Sequence, residues 1–289
     1  MSFARLIMAD WSAANSPGPI RPRKDRCWVG KLDTGEAEPD LAYCRTRQQA
    51  LDRIAGWTAE SAGPVLVGFD FPFGYPAGSS LPGGRALCDQ LAHHIEDAPN
   101  DRNNRFEVAA RLNRCLNPGG EGPFWGCPAS VRLPGLRPTR PSPWPAHITE
   151  YRLAERHLKD HRIQTVWKLA YPASVGSQVL MGMHAIGRLL QQPAFAKARL
   201  WPFETGWHHE LSPVTIAEIW PHLFFRDRRD DPQAAAHPIR DAGQVAATLL
   251  GIREGLAAGR IADLLGPPAA LSPQDRATAT AQEGWIVGA

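Results

Sequence analysis

The chain holds 289 residues, 43% of them hydrophobic and 21% charged, with a formal net charge of +3. It can bury a large core in one or two domains, and a charge so near balance points to no particular partner. Residues 1–10 meet Asp10 too soon to be the apolar stretch of a signal peptide, and no run approaches a membrane span, so a cytoplasmic protein without a membrane partner is expected. Five cysteines, an odd number without Cys-x-x-Cys spacing, argue against structural disulfides and a zinc knuckle.

Arg5–Ala9 reads as a strand closed by Asp10, followed by a Pro/Gly-rich polar loop over 15–25 that carries Arg21, Arg23 and Lys24. Cys27–Leu32 and Leu41–Arg45 read as strands on either side of the turn signal Asp33-Thr34-Gly35, so the chain opens as a three-stranded antiparallel meander. Gln48–Glu60 has helical periodicity, with Leu51, Ile54, Ala55 and Thr58 on one side. Val65–Phe69 is a short buried strand that can lie beside the first, and Asp70 stands at its end before Pro72 and Gly74 stop any regular element.

Residues 76–165 are dense in Gly and Pro, with helical pieces near 85–96 and 104–115, and read as an elaborated insert over one edge of the sheet. Lysine occurs five times against 27 arginines, which codon bias explains as readily as function does. Between Arg102 and Arg162 eleven basic residues stand against five acidic ones, a balance that suits a phosphate-backbone binder and equally an ordinary solvated face. Beyond the insert, Thr165–Leu169 is a strand or the approach to a helix. The clearest helix, 175–191, has an apolar stripe of Val175, Val179, Met183, Ile186 and Leu190, with Ser174 as its cap. Strands are expected over 198–203 and 214–219, a polar loop over Arg226–Asp231, and a second clear helix over 240–259. The apolar tail Glu283–Val287 is suited to docking as an edge strand or a plug.

Four carboxylates stand where a strand ends or a face turns inward: Asp10, Asp70, Glu218 within the apolar run Thr215–Trp220, and Asp241 on the apolar side of the late helix. Singly, each has an ordinary reading as a turn former, a helix-terminal acid or the partner of one buried arginine. Gathered at one sheet edge, they would repel one another and hold protons unless a divalent cation were present. Hard oxygen ligands select Mg²⁺ or Mn²⁺, and one or two such ions can generate hydroxide from water and steady the leaving oxygen of a phosphodiester. The acids would then be ligands, and Lys168 or an arginine of the insert would meet the phosphoryl group.

Several stretches carry a resemblance. They are Met8-Ala9-Asp10-Trp11-Ser12-Ala13, Gly68-Phe69-Asp70-Phe71-Pro72-Phe73-Gly74, Phe124-Trp125-Gly126, Val175-Gly176-Ser177-Gln178, Trp201-Pro202-Phe203-Glu204, Ala217-Glu218-Ile219-Trp220-Pro221, Asp241-Ala242 and Glu283-Gly284-Trp285-Ile286. In these the chain resembles the family of domains of unknown function numbered 429 (DUF429), bacterial proteins described as predicted nucleases of the ribonuclease H-like fold. The resemblance implies an α/β ribonuclease H-like mixed sheet, a meander followed by parallel strands, with flanking helices and the insert at about 76–165 in one domain over 1–289. It also implies acids at the first strand, the fourth strand and the last helix that bind two metal ions and cut phosphodiesters; Asp10, Asp70 and Asp241 match these places. Glu218 departs from the pattern, because the ribonuclease H glutamate lies on the first helix, where this chain has Asp52 and Glu60.

Other candidates are weaker. Ser12 and Ser177 lack a Gly-x-Ser-x-Gly elbow, the histidine pairs lack zinc spacing, and no P-loop or Gly-x-Gly-x-x-Gly run occurs. Val175–Gln178 at a helix start either cradles a phosphate or packs Gly176 closely. Trp11, Trp125 and Trp201 are candidates for stacking on bases; Trp11 and Trp125, with Ser12, Ser177 and Gln178, make up the candidate substrate residues. Three functions follow: a metal-dependent nuclease; a Mg²⁺-dependent small-molecule phosphohydrolase or phosphotransferase acting on a nucleotide-like metabolite; or a non-catalytic module binding nucleic acid or nucleotide.

Overall fold

The computed structural model describes residues 3–158, 163–172, 174–208, 212–225 and 237–289. In chain order the elements are β1 (Arg5–Asp10), β2 (Cys27–Asp33), β3 (Asp40–Cys44), α1 (Arg47–Ala59), β4 (Val65–Phe69), α2 (Gly84–Ala92), α3 (Arg105–Leu116), α4 (Leu153–His157), α5 (Gly176–Leu190), β5 (Ala198–Leu200), β6 (Val214–Glu218), α6 (Pro221–Phe225) and α7 (Arg240–Ala257). Alternation in β1 decides the layering. Ile7 and Ala9 belong to one core, Leu6 and Met8 to the other, and all are buried, so this strand must be covered on both faces.

The sheet runs β3-β2-β1-β4-β6-β5. β1, β2 and β3 pair antiparallel, as the opening meander predicts, while β4, β6 and β5 are parallel to β1 or to one another. The result is a mixed sheet flanked by helices, an α/β fold. On one face lie α1, through Leu51 and Ile54, and α5, through Val179, Met183 and Ile186. Thr46 caps α1 by accepting from the Gln49 N–H at 3.2 Å, a bond worth about 1 kcal/mol. The other face is covered by α7, through Val245, Leu249 and Ile252. Gly30 permits that approach, because a Cβ there would sit 2.7 Å from Val245 Cγ1 and 2.8 Å from Leu249 Cδ1.

Several elements differ from expectation. α5 begins at Gly176 after Val175, and no side chain caps it, so Ser174 is not the cap. Thr165–Leu169 is not a strand; Lys168 makes one isolated bridge with Trp125. β5 stops at Leu200, just before Pro202, which has no N–H to extend a ladder. The insert holds the two expected helices, α2 and α3, and the short α4 besides. The polar run Arg226–Asp231 lies outside the described residues.

The tail completes the edge that β5 leaves open. β5 reaches only Ile216 on β6, and beyond it Val287 N–H donates to Glu218 O at 2.9 Å, with Ile286 bridging Glu218 in parallel. Gly74 sits against this segment so closely that a Cβ would lie 2.1 Å from Gln282 O. All five cysteines are free, and among the described residues no helix is long and apolar enough to cross a membrane.

A candidate active site at the carboxyl ends of the parallel strands

Register brings the first two acids together. β1 and β4 are parallel neighbours with Ala9 opposite Phe69, so Asp10 and Asp70 leave the sheet side by side. Two hydrogen bonds tie these strand ends together: Asp70 N–H donates to Ala9 O at 3.2 Å, and Trp11 N–H donates to Asp70 Oδ1 at 2.7 Å. Glu218 closes β6 opposite Phe69. All three face a cleft of about 630 Å³, which Gln178 of α5, Trp220 and His222 after β6, Arg240 and Gln244 of α7, Glu155 of the insert and Ile286 of the tail also line. Ligands of open α/β sheets bind in this place, outside the carboxyl ends of the strands.

Asp241 lies in the first turn of α7, next to the cleft, with its Oδ2 accepting from the Asp25 N–H at 2.6 Å. Its negative charge reaches both strand acids. Asp10 is held well above the usual carboxylate range, first by burial and then by Asp70, Asp241 and Asp25, against the opposing charge of Arg240. Asp70 is pushed up to about 7, chiefly by burial, although the Trp11 N–H pulls it down. Burial also raises Asp241, offset by the Asp25 N–H. No described residue donates a hydrogen bond to the Asp10 carboxylate. A half-buried acid in that position, withdrawn from much of the solvent, is costly unless a cation or a proton meets it.

Glu218 is different, because it already has its cation. Arg152 is 0% exposed and donates from Nη1 and Nη2 to Glu218 Oε2 and Oε1 at 2.8 and 2.6 Å. The same guanidinium holds Glu155, with Nη2 2.5 Å from Oε1, and donates to Glu283 O at 2.8 Å. Burial pushes the Glu218 carboxyl up to about 7 even with Arg152 pulling the other way. Glu218 therefore serves the floor of the cleft as half of a buried ion pair, the ordinary reading of that residue. Among the described residues no group of three or more Asp, Glu, His or Cys side chains is arranged to hold an ion.

The other candidates are dispersed. Lys168 does not line the cleft; its Nζ donates to Pro172 O at 2.8 Å and lies over the Trp125 ring, and Trp125 is half-buried there. Trp11 is 1% exposed and packs edge-on against Phe69, 5.7 Å between centroids, so its ring is core. Ser177 Oγ donates to Leu169 O at 2.6 Å and accepts from Arg105 Nε at 3.0 Å. Gly176 N–H is taken by Lys168 O at 2.8 Å, so the start of α5 is close packing rather than an open phosphate cradle. Ser12 Oγ accepts from the Ala14 N–H at 3.2 Å. Of the substrate candidates only Gln178 lines the cleft, and it also donates to Trp11 O at 2.8 Å, tying α5 to the end of β1. Arg240 and Gln244 were legible as neighbours of Asp241 on one helix face. Arg152 carried no local signal among the insert's many arginines.

Compared with known protein families, curated proteins and solved structures, the chain matches none of them.

Proposed function

We propose that this chain is a metal-dependent phosphodiester hydrolase, a nuclease of the ribonuclease H-like type, as its resemblance to the DUF429 proteins also suggests. The observation that carries the reading is the Asp10 carboxylate, which lines the cleft beside Asp70 without a hydrogen-bond donor among the described residues. The donor set suits a hard divalent cation: Mg²⁺ keeps several waters and is held through one or two carboxylates plus substrate phosphate, rather than by a full protein cage. Asp10 and Asp70 are the carboxylates that would hold such an ion, with Asp241, now bonded to the Asp25 N–H, as a third acid near them. Bound there, Mg²⁺ or Mn²⁺ supplies charge neutralisation and a water of lowered pKa. Water adds to phosphorus and the bond to the leaving oxygen breaks, giving a phosphomonoester and an alcohol. Arg240, which lines the cleft near Asp10, meets the charge of the phosphoryl group. Gln178 keeps the β1 end in place through Trp11 O, and the Arg152–Glu218 pair holds the floor rigid.

A small phosphate ester as substrate is the second reading, favoured by the cleft volume, which falls within the range of small-molecule sites. Both readings are tested by incubating the protein with Mn²⁺ or Mg²⁺ and labelled RNA, DNA or bis(p-nitrophenyl) phosphate. Cleavage that falls at least about 100-fold in Asp10→Asn and in Asp70→Asn is expected, the scale set by loss of transition-state charge stabilisation. Rates unchanged in both variants, or no cleavage of any of the three by the native chain, would sink the proposal.

A further inference from the structure

The loop joining β1 to β2 leaves the sheet at the same edge as Asp10, and its backbone is firmly anchored. Gly18 N–H donates to Arg45 O at 2.6 Å, and Arg45 Nε returns a bond to Gly18 O at 2.9 Å. Tyr43 hydroxyl donates to Pro19 O, and Trp28 Nε1 to Arg23 O, each at 3.1 Å. The Asp25 N–H holds Asp241, from a left-handed backbone at φ 58°. The side chains of this stretch do the opposite. Arg21, Arg23 and Lys24 all point into solvent. Arg21 and Arg23 have no acidic partner among the described residues; Lys24 pairs with Asp25, 3.8 Å away and itself exposed, and its charge also reaches Asp241. Ile20 is 84% exposed.

The insert, whose composition suggested a basic surface, ties several of its arginines to its own acids or buries them, while Arg111 and Arg132 stay exposed. Arg137 pairs with Glu121, Arg140 with Glu150, and Arg152 with Glu155 and Glu218. Arg105 turns in toward Ser177, where burial lowers it to about 10. Beside Arg240, which lines the cleft itself, the loop that holds Asp241 through the Asp25 N–H carries three further exposed cations. An anchored backbone carrying unpaired cations loses little freedom on binding. An exposed isoleucine among them suits a partner that offers apolar faces between its charges, and single-stranded nucleic acid has that chemistry.

We propose that residues 20–24 form a track for a single nucleic-acid strand leading to the carboxylate cleft, with Arg21, Arg23 and Lys24 on successive phosphates and Ile20 against a base. The proposal rests on the hydrolase reading above and names its substrate class: a polymer strand rather than a free metabolite.

The test is fluorescence anisotropy with labelled 20-nucleotide single-stranded DNA and RNA across a salt series, with Mn²⁺ and with EDTA. The variant Arg21→Gln/Arg23→Gln/Lys24→Gln is expected to bind at least tenfold more weakly at 100 mM salt. Its plot of log affinity against log salt should flatten by about 2, at about 0.7 per lost phosphate contact. Ile20→Ser should weaken binding with no change of slope, and Arg111→Gln/Arg132→Gln in the insert should stay within twofold of native. Hydrolysis of bis(p-nitrophenyl) phosphate, which has no strand to hold, should be unaltered in the loop variant, which also shows that it folds. A loop variant that binds the oligonucleotides as the native chain does, a native chain that binds neither of them, or binding to phosphatidylserine vesicles in their place would overturn the track. Absence of bis(p-nitrophenyl) phosphate hydrolysis in the native chain strikes the hydrolase reading instead, and the anisotropy series still decides the loop.

Discussion

Asp70 shows how one side chain ties chemistry to stability. Its carboxyl, pushed up to about 7 first by burial, stays protonated in the folded chain over a range where the unfolded chain has released its proton. The native state binds more protons there, so the stability contributed by this group is full below about pH 4 and is lost as pH rises through about 7. Asp10 moves in the same direction. In metal-free buffer the melting temperature should therefore fall between pH 5 and pH 8. Asp70→Asn should flatten that fall and melt about 2 °C or more above the native chain at pH 8. Scanning calorimetry over this range checks it, and a variant that tracks the native profile would show that Asp70 carries no proton. At this scale the sequence marked Asp10 and Asp70 by position alone, as acids closing apolar strands. It misplaced Trp11 and Ser177, because a ring or hydroxyl beside a catalytic-looking acid reads the same whether it faces the cleft or the core.

At the level of elements, one guanidinium links the insert, the end of β6 and the tail. Arg152 pairs with Glu155 and Glu218 and bonds the Glu283 carbonyl, while the Glu283 carboxylate accepts from Ala77 N–H at 2.6 Å and from Leu153 N–H. Burial alone would pull the Arg152 guanidinium down, but Glu155 and Glu218 hold it above its ordinary value. Replacing a buried pair with apolar groups can be neutral, whereas removing one partner strands the other charge. Arg152→Met should thus cost about 3–5 kcal/mol in urea unfolding, and adding Glu218→Gln should recover part of that loss. A single variant less than about 1 kcal/mol weaker would mean the pair does not hold this edge. The helices α5 and α7 were legible from their stripes, and the meander from its turn signal. The shortness of β5 and the tail's place beside β6 were not, since edge pairing depends on which neighbour is absent.

For the whole molecule, the two cores on either face of the sheet hold the carboxyl end of β1 beside β4 and near the first turn of α7, so a cation bound at these acids would be coupled to folding. A cation that binds only the folded state stabilises it by about 2.7 kcal/mol at one hundred times its dissociation constant. Mn²⁺ at that excess should raise the melting temperature by about 5 °C at pH 8, and Asp10→Asn should abolish the rise. A native chain that melts at the same temperature with and without Mn²⁺ would remove the metal from the site.

The sequence by itself determined the apolar first strand, the meander, the two striped helices and the strand-end positions of Asp10 and Asp70, because these are written in local runs, turn signals and the 3.6-residue period along the chain. Only the tertiary structure decided the pairing of charges. Arg152 finds Glu218 across 66 positions, the Asp25 N–H finds Asp241 across 216, and Arg105 and Arg152 of the insert turn inward while Arg21 and Arg23 of the β1–β2 loop stay exposed. Such partners are chosen by proximity in space and, for buried Arg152, by the cost of burying a charge alone, and neither quantity exists until the chain has folded.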